Sequence, residues 1–128
     1  MALRVVITVL CGVGLYACVF MLRKGIRAQR GELDEPSVVE TPRARLFGGV
    51  PNAAIGVLYY TLVITGVWIP GAAAAIAIAA GSLAAALTSV VLAYSLLFVT
   101  RMPCRYCWTS HLLNWVLAAL TIWRAVSR

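Results

Sequence analysis

The chain reads as an all-α protein, a four-helix transmembrane bundle. Two observations carry that reading. Of its 128 residues 62% are hydrophobic and 12% charged, with a mean hydropathy of +0.93, more apolar surface than a water-soluble core of this size can use. The apolar residues also gather into four runs, each near the roughly 20 residues that cross a hydrocarbon layer of about 30 Å at 1.5 Å per residue. These runs cover approximately 3–22, 50–69, 72–99 and 104–123, and they leave one long loop, 23–49.

The first run continues to Leu22 and meets Arg23, Lys24 and Arg27 instead of a small-residue cleavage site, so it reads as a retained span and not a secretory signal. The loop that follows is of mixed charge and holds Pro36 and Pro42. After the second run only "WIPG" remains before the third. Pro70 stops one helix and Gly71 releases the next, which predicts a tight hairpin. The third run, "GAAAAIAIAAGSLAAALTSVVLAYSLLFV", is rich in small residues that let neighbouring backbones approach, and it is expected to lie packed inside the bundle. In the fourth run Pro103 suits the first turn of a helix whose apolar stretch reaches Trp123. There is no internal repeat and no room for a second unit, so residues 1–128 are expected to form a single four-helix membrane domain.

The formal net charge is +7, but the cations lie at helix ends and in the first loop, apart from the aromatics. That pattern excludes a nucleic-acid surface. It bears instead on topology. Arg23, Lys24, Arg27, Arg30, Arg43, Arg45, Arg101 and Arg105 share one membrane face, against Arg4, Arg124 and Arg128 on the other. The excess of positive charge favours the cytoplasm for the face that holds the start of the fourth helix.

That helix start carries the chemistry. The segment "RMPCRYCWTSHLLNW" places Cys104, Cys107 and the chain's single histidine, His111, together with Asn114. At 100° per residue the four fall at about 0°, 300°, 340° and 280°, an arc of roughly 80° on one face, while Trp108, Leu112 and Trp115 point elsewhere. A polar stripe inside a membrane helix is a site hypothesis by default. Two thiols three residues apart at a helix start can close a disulfide, and the helix dipole with Arg101 and Arg105 favours the thiolate of the outer one. Electrons would enter at Cys104 from an aqueous dithiol and leave at Cys107, one turn deeper, to a lipid-soluble acceptor. Other readings stay open. C-x2-C-x3-H offers three metal ligands but lacks the fourth that a structural zinc site needs, so no metal residue is assigned. His111 by itself reads as a hydrogen-bonded core residue, Asn114 as a bridge between helices, and Cys11 and Cys18, seven apart beside Gly14, as small packing residues.

From about residue 35 to Asn114 the chain resembles the vitamin K epoxide reductase family, through "ARLFGGVPNAAIGVLYYT" and "CRYCWTSHLLN". The resemblance implies a four-helix core that couples disulfide formation in a soluble thioredoxin-like dithiol protein to reduction of a membrane quinone of the ubiquinone or menaquinone type. It also implies roles. Asn52 matches the asparagine that hydrogen-bonds the quinone carbonyl, with Gly56 and Tyr60 the small and aromatic positions after it; Cys104 matches the thiol that exchanges with the donor and Cys107 the one beside the quinone. His111 stands where the vertebrate enzyme has a tyrosine near that carbonyl, and Asn114 completes the same stripe.

Two departures accompany the likeness. The family's first loop normally holds a shuttle pair of cysteines, and this loop has none; the second shuttle position falls at Glu35. Either the partner attacks the Cys104–Cys107 disulfide directly, or the chain keeps the fold as a non-catalytic quinone-binding or assembly subunit. The family also turns its site toward the periplasm or the lumen of the endoplasmic reticulum, opposite to the charge count above. Vitamin K epoxide itself is not an expected substrate for a short chain of prokaryotic type.

Overall fold

The computed structural model describes residues 1–128, and its regular structure is helical throughout. Helix α1 spans Ala2–Gln29, α2 Asn52–Gly66, α3 Ala72–Tyr94 and α4 Arg105–Val126. α3 runs on into a wider π-type coil, Ser95–Thr100, closed by Arg101 in the left-handed region at φ 52°. α1 packs on α2 and on α4, and α3 packs on α4. The first loop, the start of α4 and the end of α3 therefore meet at one end of the bundle, and the Pro70 turn meets both termini at the other.

Only 21 of the 128 residues are buried, while Val9, Leu58, Leu62, Leu83, Leu87 and Leu112 stand on the outside. An apolar exterior around a small interior is the distribution a lipid-facing bundle needs, and it would aggregate in water. α1 and the continuous stretch Ala72–Thr100 are each long and apolar enough to cross a membrane.

Two helix boundaries and the placement of α3 differ from the expected ones. α1 continues past Leu22 to Gln29, because arginine, lysine and alanine sustain a helix, so Arg23, Lys24 and Arg27 ride on its last turns and not in a loop. α2 is shorter than the expected 50–69. It starts behind Pro51 and ends in a tightening turn, Trp68 N–H to Thr65 O at 3.3 Å and Ile69 N–H to Gly66 O at 3.1 Å. Its 15 residues reach about 22 Å, short of the hydrocarbon thickness. The third correction concerns α3, which is not enclosed. It buries one stripe, Ala75, Ser82, Ala86, Ser89 and Ala93, and turns Ile76, Leu83, Leu87 and Val90 outward. The buried stripe is made of small residues alone, which lets α3 approach its neighbours closely, while Ala73, Ala77, Ala80 and Ala84 share the outer face with the large side chains.

The core is Ile7, Cys11, Cys18, Tyr60, Val63, Val67 and Leu117, drawn from α1, α2 and α4. Small residues make this contact possible: a Cβ at Gly14 would collide with the Tyr60 ring, and one at Gly56 would lie 2.5 Å from Cys18 Sγ. The hairpin end is closed. Gly66 sits against Ile78, where an added Cβ would be 2.9 Å from Cδ1, Trp68 Nε1 donates to Thr8 Oγ1 at 3.2 Å, and buried Arg124 donates from Nη2 to Val67 O at 2.9 Å. That last bond satisfies a carbonyl the end of α2 would otherwise leave unpaired. Toward the opposite end α2 and α3 part, and the gap is the site.

Candidate active site

Cys104 and Cys107 are joined as a disulfide, with Cα atoms 5.3 Å apart. α4 begins later than expected, at Arg105. Pro103 lies outside the first turn, and Cys104 is the extended N-cap at φ −147°, ψ 97°, its sulfur accepting the Cys107 N–H at 3.2 Å. A helical wheel therefore does not apply to Cys104. It leaves the face shared by Cys107, His111 and Asn114, and the two sulfurs open on different spaces.

Cys107 faces a mostly apolar cavity of about 380 Å³ between α2, α3 and α4. Asn52, Gly56, Tyr60, His111 and Asn114 line the same cavity, so all five residues assigned to a ligand from the sequence meet there with Cys107. A hydrogen-bonded chain crosses its floor. The Tyr60 hydroxyl donates to Asn114 Oδ1 at 2.8 Å, and Asn114 Nδ2 donates to Ser89 Oγ at 2.7 Å, tying α2 to α4 and α4 to α3. His111 is 6% exposed, and its Nδ1 is buried without a hydrogen-bond partner. It sits between two indoles, edge-on to Trp108 and roughly parallel to Trp115. Trp115 points off the polar stripe, as expected, and toward α3, where its Nε1 donates to Ala86 O at 3.2 Å.

The first loop roofs the cavity. Two short 3₁₀ turns, Val38–Glu40 and Pro42–Ala44, form a strap whose Val38, Val39, Arg43 and Phe47 join the lining. The Ser37 N–H donates to Glu40 Oε2 at 2.9 Å, and the Thr41 hydroxyl to Val38 O at 2.7 Å. Asn52, at the first turn of α2, holds the strap down: its Nδ2 donates to Arg43 O at 2.7 Å and its Oδ1 accepts the Leu46 N–H at 3.2 Å. Gly48 and Gly49, at φ 61° and 82°, make the reversal between Phe47 and Val50, where two consecutive positive φ values favour glycine.

Cys104 opens instead on a groove of about 320 Å³ at the bundle's end, lined by Lys24, Glu35, Ser37, Met102 and Arg105. The position to which the missing shuttle cysteine counts back, Glu35, thus lies in the groove beside Cys104. Cys11 and Cys18 are free and buried. Cys11 belongs to the core, whereas Cys18 also touches the cavity, 4.0 Å from Ser110 Oγ. Cys104, Cys107 and His111 form no three-ligand cluster.

The sequence profile of the vitamin K epoxide reductase family matches residues 5–122. The chain belongs to that family. It is a helical membrane protein and an oxidoreductase of the thiol–disulfide kind, with the disulfide at the start of α4. The match reaches well beyond the segment that carried the resemblance and takes in α1 and most of α4. No curated protein matches the chain.

Sequence reasoning passed over Ser89, Tyr106 and the strap. A signal existed for the first: Ser82 and Ser89 are seven apart in an apolar helix, and Ser82 Oγ accepts from the Tyr59 hydroxyl at 3.1 Å as Ser89 Oγ does from Asn114. The strap has no periodic pattern to find.

Proposed function

We propose that this family member transfers electrons from a soluble thioredoxin-like dithiol protein, through Cys104 and Cys107, to a membrane quinone of the ubiquinone or menaquinone type, as one four-helix unit over residues 1–128. The observation that supports it is the division of the disulfide between two spaces: Cys104 on an end groove with charged walls, Cys107 on an apolar cavity.

The donor's thiolate attacks Cys104 Sγ. The bond to Cys107 breaks, leaving Cys107 as a thiolate and the donor in a mixed disulfide with Cys104. The donor's second thiolate attacks its own sulfur in that mixed disulfide and frees Cys104, so the donor departs oxidised by two electrons. No loop cysteine intervenes, and Lys24 and Arg105 stabilise the incoming thiolate at the groove. A bound quinone supplies the acceptor, taking two electrons and two protons to become the hydroquinone. The Cys104–Cys107 pair gives up those electrons as its disulfide re-forms.

The cavity fits such a group. Its volume lies within the usual range for small-molecule sites, and its walls are apolar with few convergent polar groups. The orphaned His111 Nδ1 is a polar atom with no use inside the protein, and a carbonyl would satisfy it. His111 thus orients the ring and moves a proton at Nδ1. Asn52 has one amide hydrogen left after holding the strap, and it donates to the second carbonyl. Gly56 lets Cys18 of α1 close against α2 at the cavity wall, and Tyr60 with Asn114 keeps the floor rigid. Eight cations stand at the end that holds the pair, which favours a cytoplasmic mouth, opposite to the family's habit.

Thiol trapping in membranes tests the reading. A membrane-impermeant maleimide is applied to intact cells and to inverted vesicles, before and after a dithiol and then a quinone. Reduction by the dithiol, reoxidation by the quinone and labelling from one face are expected. A pair that stays in one redox state throughout would overturn the reading and point to the non-catalytic quinone-binding or assembly role instead.

A further inference from the structure

Three residues belong to both linings: Met21 of α1, Val38 of the strap and Tyr106 of α4. They are therefore the partition between the groove at Cys104 and the cavity at Cys107. Tyr106 sits between the two cysteines in the sequence. It is braced from outside the site, its ring stacked on Phe20 of α1 with centroids 4.0 Å apart and planes inclined by 19°. An aromatic pair in this geometry is held by more than its buried area. Phe20 is itself 38% exposed on the outer surface, so the stack pins Tyr106 to α1 at the rim of the bundle.

From this geometry we infer that Tyr106, stacked on Phe20, is a seal that keeps the aqueous donor's thiols and water out of the cavity at Cys107, so that the disulfide is the one route between the two spaces. The inference rests on the proposed assignment of donor to groove and acceptor to cavity, and it gives the residues inside the C-x-x-C a role of their own. Without the partition a small polar thiol would reach Cys107 and the acceptor directly, and electrons would bypass Cys104. A large, flat ring blocks this opening, and alanine at the same position would join the two spaces. The hydroxyl has no part in the seal, since the ring alone makes the stack.

The test reads access and needs neither quinone nor turnover, so its outcome is separate from that of the redox assay. In reduced, membrane-embedded Cys104→Ser protein, Cys107 is labelled with a charged methanethiosulfonate reagent and with an uncharged, lipid-soluble maleimide, each site being read by peptide mass spectrometry. Slow labelling by the charged reagent and ready labelling by the uncharged one are expected with Tyr106 in place. Tyr106→Ala raises the charged-reagent rate at Cys107 at least tenfold, Phe20→Ala raises it less, and Tyr106→Phe leaves it unchanged. Labelling of Cys11, fully buried in the core, reports whether a variant has lost its fold. Should Tyr106→Ala fail that control, Phe20→Ala carries the test. Equal charged-reagent rates at Cys107 with and without the intact stack overturn the seal.

Discussion

The two ends of the bundle are built from the same kinds of residue and do opposite things. At the hairpin end α2 and α3 are held together by Gly66 against Ile78, and polar bonds from Trp68 and Arg124 fasten the chain to α1 and α4. At the other end the same two helices stand apart, and the space between them is roofed by a strap and lined by residues from all four helices. In a membrane the hydrophobic effect gives helices little reason to associate, so packing and hydrogen bonds decide where they close. One end spends its polar groups on closure. The other leaves a histidine nitrogen unpaired in the cavity that Cys107 lines, and the proposed acceptor site rests on that atom.

The largest effect that sharpens this contrast is expected at the open end. Cys107→Ala abolishes quinone reduction, while its free Cys104 thiolate can still attack the donor offered in its disulfide form and trap it as a mixed disulfide; Cys104→Ala abolishes acceptance from the dithiol donor. Thermal stability of the reduced protein changes little in either, because neither sulfur belongs to the core. Separate assays of mixed-disulfide formation and of quinone absorbance check the division. Normal turnover in either variant would falsify the two-sided route.

Midway between the ends, Gly14 and Gly12 make a matched pair. A side chain at Gly14 must displace the Tyr60 ring, whereas nothing lies within 4 Å of a Cβ at Gly12. Overpacking of this kind typically costs about 1–3 kcal/mol. Gly14→Val is therefore expected to lower the midpoint of unfolding in detergent clearly and to disturb the Tyr60–Asn114 bond, with Gly12→Val close to the parent. Equal stability of the two variants would show that α1 and α2 do not meet through Gly14.

Asn114 joins the two regimes, because it bonds α2 and α3 at once. Interhelical hydrogen bonds in membranes average about 0.6 kcal/mol and reach about 1.7, so Asn114→Ala removes on the order of 1–2 kcal/mol and leaves two hydroxyls without that partner. A cycle with Tyr60→Phe separates the contributions. Coupling is expected if the bond to Tyr60 forms, and strict additivity would remove it.

How much of this was legible in the sequence follows the same division. Helix number, the hairpin at Pro70 and Gly71, and the grouping of Cys107, His111 and Asn114 rest on periodicity and on proline and glycine stops, which are local signals. The family could be read from the FGGVPN and CRYC segments. The extended Cys104 was not legible, since a wheel that starts at Pro103 assumes the very turn that is missing. Nor was the openness of α3: its alanines read as an enclosed helix, yet only Ala75, Ala86 and Ala93 are buried in the seam, and Leu83, Leu87, Val90 and Val91 face outward with the rest of the helix's outer alanines. The cavity depends on how far α2 and α3 part and on where an aperiodic strap lies. Both are tertiary facts with no pattern along the chain.

The smallest expected effect concerns that strap. Asn52 donates to Arg43 O and accepts from Leu46 N–H, so its first task in the structure is to hold residues 43–46 over the cavity. Asn52→Ala removes both bonds and the spare amide hydrogen together. The apparent KM for quinone is expected to rise several-fold with kcat nearly unchanged, because the chemistry at Cys107 is untouched while the roof loosens. Asn52→Asp separates the two tasks: its carboxylate can still accept from Leu46 N–H but has no hydrogen to donate to Arg43 O or to a carbonyl. Strap retention is read from limited proteolysis within residues 30–51. If Asn52→Asp protects the strap as well as the parent yet raises KM as much as alanine, the amide acts on the ligand. If proteolysis and KM move together in both variants, Asn52 acts through the roof alone, and recognition at the open end falls to His111.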